Sequence, residues 1–250
     1  MNCSVIRLAE RNDLFHNFEQ ETEQNFSFRS GGSVVRMTTV PLSGRRAQAA
    51  RNDSVILDAA RDVFIADPGA PIAAVAHKAG VGISALYRRY PSKEELLSKL
   101  CLDGLLLYVE IAEEANAALD AGADPAETFE TFMVRVVDAD THSLTQKLAG
   151  TFEPTEEHTS NAIRAGELNQ HLVERLHEAR AVRPDLELAD LGQLFEMIAA
   201  IRFGDDERRG QLRRRYLGLL MAGLFQPDAA PLPGPAPYVG EFAGRWAKAT

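Results

Sequence analysis

Between Pro71 and Pro91 the chain is punctuated so closely that only two short helices joined by a tight turn fit. Pro71 suits a first helical position, because its φ is already helical and its missing N–H would have had no partner there. Ile72 to Ala79 makes two helical turns, and Gly80 can take the left-handed conformation that ends them. Ile83 to Tyr90 forms the next helix, stopped by Pro91, which disfavours helix in the residue before it. Two short helices that cross at close range need a small contact residue and an apolar centre. Ala76 supplies the first, and Val75, Ala79, Val81 and Leu86 the second. The pattern predicts a helix-turn-helix over 71–90.

The flanks are helical as well. Val55, Ile56, Ala59, Ala60, Val63 and Phe64 share one face of a helix running from Asn52 or Asp53 to Ala66, ended by Asp67-Pro-Gly-Ala70. Ser92-Lys-Glu-Glu95 is a capping box, so a helix starts there. Its apolar positions continue from Leu96 to Leu119, predicting a rod of roughly 40 Å that ends at Ala121-Gly122. Asp124-Pro-Ala-Glu127 combines a cap with Pro at the first helical position, ahead of Phe129, Phe132, Met133, Val136 and Val137. A short helix over Leu144 to Leu148, a longer one over Thr159 to Ala181, and a hairpin of Glu187 to Ile201 with Asp206 to Phe225 complete the helical pattern. Gln226 to Pro237 has Pro at every second or third place and should be extended.

The expected fold is all-α. Residues 1–44 read as a polar extension with an alternative start at Met37, residues 45–100 as the helix-turn-helix domain, 101–225 as a helical bundle, and 226–250 as a Pro-rich tail.

Pro71-IAAVAHKAGVGISALYRRYPSKEELL-Leu97, preceded by Val55-ILDAARDVF-Phe64, resembles the DNA-binding domain of the tetracycline-repressor (TetR) family of bacterial regulators, most closely in Leu86-Tyr-Arg-Arg-Tyr-Pro-Ser-Lys-Glu94. The likeness in motif covers about residues 45 to 102; for the body it is one of helical plan. It implies a dimer joined through the last two helices, each copy inserting its third helix into the major groove of an inverted-repeat operator. By position Ile83, Ser84, Ala85, Tyr87, Arg88 and Arg89 would face DNA, and Lys93 a phosphate. Arg reads guanine edges bidentately, small Ser and Ala allow close approach, Ile83 suits a thymine methyl, and Lys93 stands at a helix N-terminus, which favours phosphate. Leu86 and Tyr90 fall on the buried face instead. Arg45, Arg46 and Arg51 form a basic arm suited to phosphate or the minor groove. Two departures, Ala70-Pro71 and Gly82, stand where family members often carry hydroxyl caps and bear on one or two phosphate contacts.

The charge distribution fits a basic reader on an acidic body. The net charge of −9 divides into −1 over residues 1–40, +3 over 41–100 and −11 over 101–250. Phosphate attraction is thereby confined to one segment. No apolar run is long enough to span a bilayer, and the first 36 residues lack a basic start and an apolar core; a cytoplasmic protein is expected. Cys3 and Cys101 offer neither a disulfide framework nor a thiolate cluster, and Cys101 reads as a small core residue. Glu174-Arg-Leu-His177 is one Glu-x-x-His without the second copy that a di-metal bundle needs. His142, His158 and His171 are isolated, and nothing forms a phosphate loop or a nucleophile elbow. No catalysis, metal or cofactor is expected.

Tyr108, Phe129, Met133 and Phe152 are candidates to line a small-molecule effector pocket, an expectation that leans on the resemblance. The hairpin over 187–225 carries Leu188, Leu191, Leu194, Phe195, Ile198, Leu212, Tyr216, Leu219, Leu220 and Leu224, more apolar positions than one internal contact should need, and predicts a homodimer. A repressor released by an effector is thus the leading expectation; the alternative is a helical binding module without DNA recognition.

Overall fold

A computed structural model describes residues 44–148, 150–238 and 241, with the side chains of 44–52, 143 and 145–147 outside the description. The extension over 1–43, Cys3, the Met37 start, the side chains of Arg45 and Arg46 and the end of the tail therefore lie outside the described residues. Among the described residues the secondary structure is helical throughout: α1 (Gly44–Ala66), α2 (Ile72–Ala79), α3 (Ile83–Arg89), α4 (Lys93–Asp120), α5 (Pro125–Asp138), α6 (Thr141–Leu148), α7 (Glu156–Glu178), α8 (Leu188–Ala199) and α9 (Asp206–Leu224).

Local signals explain most of these boundaries. Gly80 takes φ 66° at the end of α2, where its N–H reaches the last carbonyls of that helix. The Ser92 hydroxyl accepts from the Glu95 N–H at 3.1 Å, and the Asp124 carboxylate from the Glu127 N–H at 2.9 Å with Pro125 at the first helical position. Pro71 is the cap rather than the first residue of α2, with extended backbone and its donor-free nitrogen outside the helix. α7 starts three residues earlier than its apolar pattern, because Thr155 and His158 form a reciprocal capping pair.

The long α4, 28 residues or about 42 Å, is the spine. α7 runs alongside it in the same direction, tied by His158 Nε2 to the Ser98 carbonyl at 3.0 Å, Asn116 Nδ2 to the Leu168 carbonyl at 3.1 Å and Arg175 to Asp120 at 2.8 Å. A carbonyl only accepts, so Nε2 of His158 carries the proton and Nδ1 accepts from Thr155.

Two apolar cores result. One, in the body, gathers Ile111, Phe129, Phe132, Met133, Leu172, Leu176, Phe195 and Leu217 around the second half of α4. The other joins Phe64, Val75, Leu86, Tyr90, Leu96 and Leu100 of the first four helices to Leu144, Leu148 and Phe152. α6 and the turn after it thus complete the core of the helix-turn-helix module. Burying Leu144 and Leu148 there contributes roughly 2 kcal/mol each. Where α5 turns into α6, Asp140 adopts φ 49°, and the buried Arg213 of α9 holds its carboxylate at 2.8 Å.

Candidate nucleic-acid interface

α3 is seven residues long, and its faces divide cleanly. Leu86 is fully buried and Tyr90, which follows the helix, is 6% exposed; Ile83, Ser84, Tyr87 and Arg88 stand on the open side, with Ala85 partly covered between them. The side chains needed for a major-groove reader therefore share one exposed face, at the i, i+1, i+4, i+5 spacing of a helix.

Arg89 is placed differently. Its guanidinium makes a two-point pair with Asp53 of α1, Nε to Oδ1 at 2.8 Å and Nη2 to Oδ2 at 2.7 Å, and the Tyr90 hydroxyl donates to the same Oδ1 at 2.7 Å. Those bonds hold the Asp53 carboxyl below its ordinary range, the Arg89 bond being the largest cause, while burial and the neighbouring anion push the Tyr90 phenol up. The triad fastens α3 to α1. No local pattern announces it, since Asp53 lies 36 residues before Arg89.

Lys93, at the start of α4, donates to the carbonyls of Pro68 and Ala70, each at 2.8 Å, and its ammonium lies 5.1 Å from the Phe64 ring centre. Two of its three donors thus pin the α1–α2 loop, leaving one toward solvent. Sequence reasoning missed this structural role. Arg45 and Arg46 fall on the first turn of α1, in a helix that starts eight residues earlier than its apolar face suggests.

Of the four candidate pocket residues, the structure brings Tyr108, Phe129 and Met133 together in the body core, with Phe129 and Met133 at 0% exposure. Phe152 belongs to the other core and stacks near His158. The Tyr108 hydroxyl donates to Asn169 Oδ1 at 2.9 Å, and its ring meets Phe132, His142 and Phe195 edge-on. Burial lowers the His142 imidazole to about 4, with Glu196 and Asp140 pulling the other way. Burial also pushes the Cys101 thiol up to about 12, against a weaker pull from Arg61, so it stays protonated and unreactive. His177 is on α7, and no group of three or more His, Cys, Asp or Glu able to hold a metal occurs among the described residues.

The hairpin of α8 and α9 also splits. Leu191, Phe195, Ile198 and Leu224 face the body core, whereas Met197, Tyr216 and Leu219 are 51%, 47% and 62% exposed, with Leu194 and Leu220 partly covered beside them. Arg214 fixes α9 to α5 through a two-point pair with Asp138, both contacts at 3.0 Å. No helix among the described residues is long and apolar enough to cross a membrane.

Comparison with known proteins places this geometry. Residues 56–100 match the family model of bacterial regulatory proteins, tetR family. No curated protein matches the chain. Among solved structures, the TetR family transcriptional regulator PfmR of Thermus thermophilus is 23% identical, with 69% of this chain and 96% of that one covered at a TM-score of 0.51. The ketosteroid transcriptional regulator KstR2 of Mycobacterium tuberculosis is 18% identical, with 74% and 96% covered at 0.51. A TetR transcription regulatory protein of Mycobacterium vanbaalenii is 25% identical over 72% of this chain and 99% of that one, at 0.49. The matched segment is the one that holds the helix-turn-helix: residues 56–100 are similar to the tetR family of bacterial regulatory proteins, and the helical fold around them is similar to that of PfmR and KstR2.

Proposed function

We propose that the chain is a sequence-specific DNA-binding repressor that acts as a homodimer on an inverted-repeat operator and is released by a small-molecule effector. The observation that carries the DNA-binding part is the open face of α3, where Ile83, Ser84, Tyr87 and Arg88 are exposed while Leu86 and the adjoining Tyr90 are buried against the rest of the module. Arg88 is the principal base reader. Arg89 supports it by locking α3 to α1, and Lys93 directs its remaining donor toward a phosphate near the N-terminus of α4. Arg45 and Arg46, at the start of α1, are candidates for phosphate or minor-groove contact.

Dimerisation proceeds through 187–225, where Met197, Tyr216 and Leu219 would leave water on pairing. The module 45–100 acts as reader and the body 101–225 as sensor, with the first part of the Pro-rich tail fastened to the body by Arg183 at the Ala230 carbonyl and Asp185 at the Leu232 N–H. Effector coupling is supported by two shared elements: α4 begins beside the reader and ends in the body, and α6 leaves the body to fill the reader's core. A ligand that displaces α4 or α6 changes the separation of two recognition helices from the one-turn spacing of roughly 34–36 Å.

Selection from a random duplex library with the purified full chain tests this reading. It should enrich an inverted repeat whose binding weakens steeply with salt. A library that enriches no site, with binding insensitive to salt, would instead leave a helical binding module.

A further inference from the structure

Arg183 and Arg213 are covered almost completely, at 8% and 6% exposure. A guanidinium out of water is costly unless carboxylate or carbonyl oxygens meet it, so each marks a place where the fold is held together by design of its sequence. The two lie at opposite ends of the α8–α9 hairpin. At the turn, Arg213 donates to the carbonyls of Ala199 and Ile201 at 3.1 and 3.3 Å, which ties α9 to the end of α8. At the open end, just ahead of α8, the Arg183 N–H donates at 2.8 Å to the carbonyl of Leu224, the last residue of α9. Its guanidinium pairs with Asp185 and donates to the Ala230 carbonyl at 2.9 Å.

The tail completes this second brace. Asp228, Ala230 and Leu232, alternate residues along it, meet Arg180, Arg183 and Asp185 in turn. The Leu232 N–H reaches the Asp185 carboxylate at 2.6 Å, and it stands between Pro231 and Pro233, which have no N–H to offer. The Arg183 bond first, and the Leu232 N–H second, hold the Asp185 carboxyl down to about 2, so the pair keeps its charge well into acid.

We infer that residues 226–232 clamp the open end of the hairpin, and that the seating of this clamp sets how tightly two copies of the chain associate. Met197, Tyr216 and Leu219 present one pairing surface only while α8 and α9 keep a fixed spacing. That spacing is braced at the turn by Arg213 and at the other end by Arg183 with the tail. Leu219 lies less than two helical turns from Leu224, so loosening the clamp disturbs the pairing surface at its centre. The inference rests on reading 187–225 as the dimer face, and adds the tail to what decides the dimer.

Two full-chain variants isolate a single bond. Leu232→Pro removes the N–H that Asp185 accepts, while the backbone there is already biased to an extended form by Pro233. Leu232→Ala keeps the N–H and removes only a side chain that is 48% exposed. Sedimentation velocity over a concentration series gives the dimer dissociation constant, hydrogen exchange read by mass spectrometry reports on the hairpin, and thermal unfolding confirms that each variant folds. Leu232→Pro should raise the dissociation constant about three- to tenfold, the loss of one bond to a charged acceptor. It should also speed exchange at the start of α8 and the end of α9, with α1 to α3 unchanged. Leu232→Ala should match the parent in both. If Leu232→Pro leaves the dissociation constant as it was, the clamp does not govern association and the inference is overturned, while the dimer reading stands. Equal effects of the two variants would overturn it as well, because the side chain and not the bond would then matter. A parent that stays monomeric at micromolar concentration, with exchange at the hairpin ends still quickened by Leu232→Pro, would uphold the brace and refute the dimer reading together with the role in association.

Discussion

Asp53 decides how α3 presents its arginines. With Arg89 and Tyr90 both bonded to it, α3 can roll little on α1, and Arg88 is left as the outward guanidinium of the pair. Asp53→Asn keeps the shape and removes the charge; it should lower stability by about 1 kcal/mol, a small effect because Arg89 is well exposed, measured by urea unfolding. His142 gives a second prediction at this scale. Its ring sits against Tyr108 and Phe195, and its folded pKa of about 4 lies below the roughly 6.5 of an unfolded chain. The unfolded state therefore takes up a proton first as pH falls. Stability from this residue is whole above pH 6.5 and declines down to about pH 4, by about 2 kcal/mol, since part of the side chain reaches solvent. His142→Phe, which keeps the ring contacts, should flatten that part of the stability curve in denaturant titrations from pH 7 to pH 4.

At the scale of elements, boundaries with side-chain or backbone caps were legible and tertiary decisions were not. α2, α4 and α5 could be read from Gly80, Ser92 and Asp124, because a cap acts on residues three or four away. The first two turns of α1 were not readable: Gly44 to Arg51 has no apolar face, and its alanines and arginines only permit a helix. The open face of α3 followed from its period, but the capture of Arg89 by Asp53 and of Lys93 by the Pro68 and Ala70 carbonyls depends on how helices distant in sequence meet. For the same reason Phe152, placed with Phe129 and Met133 by residue type, packs under the reader instead. The caps carry a prediction of their own: Asp124→Ala should cost about 1 kcal/mol in thermal or urea unfolding. Lys93→Met, which leaves two loop carbonyls without their cation, should lower stability by about 1–2 kcal/mol in addition to any loss of DNA affinity.

At the scale of the whole molecule, the account joins a reader, a spine and an exposed hairpin face. Leu219 is 62% exposed, whereas Leu220 is partly packed on the body core, so Leu219→Glu is the cleaner probe of the dimer. It should give folded monomers by light scattering and lose tight operator binding, because one short helix buries too little surface to hold DNA alone. The central claim is that α3 reads base sequence through Arg88. It is tested most directly by titrating the parent chain and Arg88→Ala, at one salt concentration, on the selected operator and on a scrambled duplex of the same length. The account predicts a loss of about 1–3 kcal/mol on the operator with little change on the scrambled duplex. Equal losses on both duplexes would reduce Arg88 to a phosphate contact, and no loss on either would contradict the claim that α3 is the recognition element.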